Sequence, residues 1–211
     1  LKVMQRFDAA AAHRGVFLLL AGLFLKTAVA DVVGQFAQHA FADPGALSTL
    51  GAWLGLYAFS VQLFADFWGY STMAVGTGLL FGLVLPVNFE TPYFSRRLQE
   101  FWRRWHITLG AWFRDYLYLP LGGNRVRPLL NVLVVMTVAG LWHGAGWTFV
   151  LWGALHGAWL AAERVLAPKP GGGRWREAVE ALVVFHGVTL LWVLFNARTL
   201  DVALAYYGRL L

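Results

Sequence analysis

Cysteine is absent from the 211 residues, which excludes a disulfide framework, a thiolate metal site and a cysteine nucleophile. Charge is scarce. Asp, Glu, Lys and Arg together make up 13% of the chain, where soluble domains carry about a quarter. Only 11 residues are acidic, and most sit near segment ends, which leaves little for a carboxylate proton relay. The HExxH pair of a helical zinc site, the GxSxG elbow of a serine hydrolase and the Walker phosphate loop do not occur. His143 and His156 stand too far apart for an i, i+4 ligand pair, and no metal site is expected. No period of about 20–50 residues repeats, so the chain is not a solenoid.

Apolar sequence fills the space that charge leaves. The chain is 59% hydrophobic, its mean hydropathy is +0.57, and several windows of about 15–20 residues carry almost no charge. A membrane protein is the class that fits, an all-α polytopic bundle with no soluble domain. The chain opens at Leu1 with no signal peptide and reads as an internal piece of a longer protein, one membrane-embedded region over 1–211. A net charge of +6 raises nucleic acid as a partner, but placement argues against it. Arg96, Arg97, Arg103, Arg104, Arg114, Arg125 and Arg127 face only Glu100 and Asp115 in their stretch, a local +5. A basic belt beside apolar spans is what the positive-inside rule expects of cytoplasmic segments next to lipid phosphate.

Along the chain, Gly15–Phe36 reads as a first span interrupted by Lys26 and Asp31, and Ala37–Gly45 as a connection closed by Asp43-Pro44-Gly45. Leu47–Phe67 is a second span. Met73–Val87 is short and glycine-rich, the pattern of a half-span or re-entrant element buried in protein. Residues 94–116 place Leu98, Phe101, Trp102, Trp105, Leu109, Trp112 and Phe113 on one helical arc and the arginines on the other. That pattern predicts one amphipathic helix lying in the membrane interface, aromatic face inward, with His106 between Trp102 and Phe113. A loop forced by Pro120, Gly122 and Gly123 follows. Leu129–Leu141 and Thr148–Ala162 read as two short helices joined near Gly144–Gly146, with both basic ends on one side. A basic Pro/Gly-rich connection over 164–176 precedes a last span, Val179–Phe195.

An ionisable side chain inside an apolar segment is expensive and therefore a functional candidate. His143 is the strongest of the six histidines: it interrupts two apolar stretches, next to Trp142 and to glycines that let a ligand approach. From the residues alone, a histidine hydrogen-bonded to a neighbouring helix is the favoured reading. His156 sits on a helical face with Phe149, Trp152 and Gly153, His186 has no evident partner, and His13 and His39 are peripheral.

Longer motifs then join up. Asn88-Phe89, Pro92-Tyr93, Phe101-Trp102-Arg103-Arg104-Trp105-His106-Ile107-Thr108-Leu109, Trp112-Phe113-Arg114-Asp115-Tyr116 and Pro120-Leu121-Gly122-Gly123-Asn124-Arg125 closely resemble the membrane-bound O-acyltransferase (MBOAT) superfamily, in its bacterial alginate O-acetyltransferase-like branch. Leu141-Trp142-His143-Gly144 with Trp147-Thr148-Phe149-Val150-Leu151-Trp152-Gly153 and Leu155-His156-Gly157 looks like that family's active-site segment. Two positions depart from the branch's pattern: Trp68 stands for a serine and Thr72 for an aspartate.

The resemblance implies an O-acyltransferase with His143 as catalytic base and His106 as the second motif histidine, orienting the acceptor or stabilising charge on the carbonyl oxygen. Trp142, Arg103, Arg104, Asn124, Arg125 and His156 are the implied substrate-binding residues. The implied donor is a thioester, acetyl-CoA or a similar acyl carrier, drawn in by the arginine belt, with no bound cofactor. The implied acceptor is an exported polysaccharide or cell-wall polymer, reached through a periplasmic or extracellular partner acetyltransferase, with the chain multi-pass in the bacterial inner membrane. Two other readings stay open: a pore or carrier lined by these histidines, and a non-catalytic scaffold that docks a soluble transferase.

Overall fold

A computed structural model describes residues 2–3, 8–166 and 173–211. Helix α1 (Ala9–Phe24) starts on Asp8, whose carboxylate accepts from the Ala10 amide, and passes through a π-helical turn, Leu25–Ala30, into α2 (Asp31–Ala42). The connection expected from Ala37 is therefore helical as far as Ala42, and only Pro44–Ala46 forms a tight 3₁₀ turn. Helix α3 (Thr49–Leu80) opens on a Ser48 cap and runs unbroken for 32 residues. This corrects the half-span expected at 73–87. Nothing between Phe67 and Met73 breaks a helix, and the chain turns only at Gly82, in the left-handed region at φ 72°. Beyond it, Leu83–Val84 (β2) pairs antiparallel with Lys2–Val3 (β1).

The interfacial helix expected over 94–116 is two pieces, α4 (Leu98–Arg104) and α5 (Ile107–Phe113), followed by a π-helical turn at Arg114–Tyr118. The break falls on Trp105–His106 and has a long-range cause. Residues 88–90 run alongside it: the Ile107 amide donates to the Asn88 carbonyl, the Thr108 amide and hydroxyl to Asn88 Oδ1, and the Glu90 amide to the Arg104 carbonyl. Of the aromatic arc, Leu98, Phe101, Trp105 and Phe113 are buried, whereas Trp112 is half exposed.

Helices α6 (Pro128–His143) and α7 (Trp147–Leu166) form the antiparallel hairpin predicted for them. Helix α8 (Gly173–Asn196) and α9 (Leu200–Leu210) complete the bundle; residues 167–172 of the expected basic connection lie outside the described residues. Ala9–Ala42, Thr49–Leu80 and Gly173–Asn196 are long and apolar enough to cross a membrane, and Pro128–His143 is a shorter apolar helix. The core of this all-α membrane bundle is aromatic. Trp152, Trp192, Phe101 and Tyr206 are almost fully buried, and the Tyr206 hydroxyl donates to the Ala52 carbonyl at 2.8 Å.

One side chain holds the loop before α6. Asn131, 5% exposed, directs Nδ2 at the carbonyls of Leu121, Gly123 and Val126 at 3.1, 3.0 and 2.6 Å. Asn131→Leu keeps the volume and removes the donor. Stranding those carbonyls is expected to cost about 1–3 kcal/mol, seen as a lower thermal unfolding midpoint. An unchanged midpoint would mean the loop is held by something else.

Candidate active site

His143 ends α6, and its ring stands edge-on to three aromatic neighbours: Trp142 at 5.0 Å, Trp152 at 5.4 Å and Phe195 at 5.0 Å between centroids. Among the described residues no group hydrogen-bonds its ring nitrogens, which leaves them for a ligand. His106 occupies the break between α4 and α5 in the left-handed region, φ 48°, against the Phe67 ring at 4.6 Å. Its Nδ1 is buried without a partner among the described residues. A residue other than glycine rarely adopts that backbone unless its surroundings impose it, and here the Asn88 bonds do so.

Both rings line one cavity of about 460 Å³, within the roughly 300–1,000 Å³ of small-ligand sites. Its long wall is a single stripe of α6: Val132, Val135, Met136, Ala139 and His143 recur every three or four residues. Trp102 and Trp105 from α4 and its end, and Trp152 from α7, add aromatic surface. Such walls exclude water.

The expected binding residues divide. Arg103 and Asn124 line the cavity. Arg104 instead pairs with Glu100 at 2.7 Å, Arg125 is exposed on the loop before α6, and Trp142 is 58% exposed beside His143. His156 lies outside the cavity wall at 0% exposure, behind Trp102 and Trp152 at 5.1 and 4.7 Å, with Nδ1 donating to the Trp152 carbonyl at 2.9 Å. It is not among the residues that line the cavity, whereas Trp102 and Trp152 are. Arg164 and Tyr118 also line the cavity and were not expected as binding residues from the sequence. The hairpin expectation held the signal for Arg164, since antiparallel α6 and α7 return it to the level of Pro128.

Electrostatics set the protonation of the second histidine. Burial, with the nearby His143 adding to it, pushes His106 down from the ordinary imidazole range to about 4. Its native ring is therefore neutral where an unfolded one, near 6.5, starts to charge. The stability this contributes is complete above about 6.5 and drains as pH falls toward 4. Thermal unfolding of His106→Gln is expected to change less between pH 7 and pH 5 than that of the unsubstituted protein. Equal changes would show that this ring does not resist protonation.

Comparison with known proteins gives the family. Residues 4–168 match the MBOAT, membrane-bound O-acyltransferase, family. The chain is 47% identical over 204 residues to the Azotobacter vinelandii protein named "Probable alginate O-acetylase", covering 92% of this chain and 39% of that one. It is 43% identical over 195 residues to the peptidoglycan O-acetyltransferase of Helicobacter pylori (90% and 37%). Identity is 30% over 217 residues to the teichoic acid D-alanyltransferase of Streptococcus thermophilus (87% and 51%). The chain thus spans about two fifths of the length of the first two relatives. With a match that covers most of its length and relatives this similar, the chain belongs to the membrane-bound O-acyltransferase family.

Proposed function

We propose that this chain is the catalytic region of a multi-pass inner-membrane O-acyltransferase. It takes an acyl group, acetyl by analogy with the O-acetylase and O-acetyltransferase relatives, from a cytoplasmic thioester and passes it toward hydroxyls of an exported polysaccharide or cell-wall polymer. One observation carries the reading: His143 and His106, from two separate motifs, face a single aromatic-walled cavity.

In this reading an imidazole nitrogen of His143 takes the proton of the attacking hydroxyl as its oxygen bonds to the thioester carbonyl carbon. The C–S bond then breaks, and the departing sulfur receives that proton from the imidazolium, so a thiol and an oxygen ester leave. His106, neutral at working pH, offers one ring N–H to the oxygen that becomes negative in between. The rest of the route, delivery to the polymer through a periplasmic or extracellular partner, follows the family resemblance and belongs to the whole protein. The test is transfer of labelled acetyl from a thioester by the purified full-length protein, with and without acceptor. Solute flux without transfer would favour a carrier, and transfer seen only with an added soluble transferase would favour a scaffold.

A further inference from the structure

His106 sits at the apex of an elbow whose arms are α4 and α5. Residues 88–90 bond to both arms, the Glu90 amide donating to the Arg104 carbonyl and the Ile107 amide to the Asn88 carbonyl. They fix the bend, but they do not fix where the bend lies against His143 on α6. That second quantity depends on what ties the elbow to the α6–α7 hairpin.

The polar tie to α4 is one carboxylate. Seven residues make a helix too short to persist by itself, and Arg97, at the N-cap position, makes no side-chain cap bond. The acidic residue in its first turn, Glu100, is occupied elsewhere, accepting from the Arg96 amide at 2.8 Å and pairing with Arg104 at 2.7 Å. The open amides of α4 are met instead from α7. Half-buried Glu163 accepts from the Leu98 amide at 2.7 Å and from the Gln99 amide at 3.2 Å. A negative charge at that end also suits the helix dipole.

Packing backs this cap along the same face of α7. Two turns before Glu163, His156 meets the Trp102 ring of α4 at 5.1 Å, and one turn earlier Trp152 meets it at 5.6 Å. Trp152 in turn stands 5.4 Å from the His143 ring. Apolar contact is non-directional and lets one helix slide or roll on another. Charge-assisted bonds to two successive amides hold a definite register.

We infer that Glu163 is a positioning residue: by capping α4 from α7, it sets His106 against His143 across the cavity. Glu163 itself is outside the cavity lining, so it acts through the elbow and not on a bound molecule. The inference rests on the acyl-transfer reading and adds a residue to its machinery.

The experiment joins kinetics to hydrogen exchange in the full-length protein. Glu163→Ala is expected to lower kcat for labelled acetyl transfer about tenfold or more with the donor's KM nearly unchanged, since a displacement of about 1 Å can cost 10²-fold. Glu163→Gln keeps one oxygen acceptor without the charge and should fall between. A double-mutant cycle separates positioning from general bracing. In a His106→Ala background, Glu163→Ala should cost about twofold at most, because the ring that it positions is already gone. An equal fold-loss in both backgrounds reduces Glu163 to a brace, and a loss carried by the donor's KM assigns it to binding; either overturns the inference. Amide exchange over residues 98–104 needs no turnover. Glu163→Ala should speed it about tenfold or more while residues 131–139 of α6 stay protected, and unchanged exchange refutes the cap whether or not the protein transfers acetyl.

Discussion

Replacing His143 with alanine is expected to lower turnover by about 10²–10⁴, the contribution of a well-placed general base, with little loss of folded protein. The ring meets its neighbours only through aromatic edges and faces the cavity, so its removal strands no buried partner. His143→Gln should fail as completely, since an amide keeps a similar size and polarity but cannot take a proton at neutral pH. The loss should fall on kcat, with KM for the donor nearly unchanged, because an interaction made only in the transition state lowers kcat without weakening ground-state binding. His106→Gln should lose less, since its amide can still donate a hydrogen bond to a developing oxyanion. Labelled acetyl transfer at saturating donor measures all three. Undiminished transfer by His143→Ala, with expression and unfolding midpoint preserved, removes this residue from the chemistry.

The parts of this architecture that were readable in sequence are those set by local pattern. Two apolar stretches separated by Gly144-Ala145-Gly146 read as two short helices joined by a tight turn, and α6 and α7 form such a hairpin. Composition alone required a membrane bundle. What escaped was determined by partners distant in the chain. A helical wheel over 94–116 has no means of showing that Asn88 supplies acceptors to the Ile107 and Thr108 amides and so breaks the helix at His106. That break matters for the site, because it turns the His106 ring toward the same cavity as His143 rather than along a helix face. The polar run after Phe67 looked like a boundary only because Gly69, Ser71 and Thr72 are poor helix formers in isolation; within α3 the neighbouring helices override propensity. His156 is a further case. Motif membership pointed to substrate contact; its full burial against Trp102 and Trp152, outside the cavity lining, is set by helix packing that the motif alone does not display.

Bringing His143 beside Trp152 depends on how closely α6 and α7 approach, and two glycines set that spacing. A Cβ on Gly140 would stand 2.2 Å from the Phe149 carbonyl oxygen, and one on Gly153 would stand 2.2 Å from that of Met136. Both obstacles are backbone, so neither can rotate aside. Small residues at such crossings are how membrane helices pack without a hydrophobic driving force. Gly153→Val is therefore expected to pry the hairpin apart, at or above the upper end of the roughly 1–3 kcal/mol typical of overpacking. Activity should fall further than stability. A displacement of about 1 Å between reacting groups is enough for a 10²-fold loss, and the α6 stripe that walls the cavity moves with His143. Gly208→Ala on α9 is the matched control: its added methyl meets nothing within 4 Å, and removing a glycine from a helix should leave the unfolding midpoint unchanged or slightly raised. Should Gly153→Val retain both its midpoint and its turnover, the two helices do not hold His143 in place, and the cavity's geometry must be fixed from the α4–α5 side.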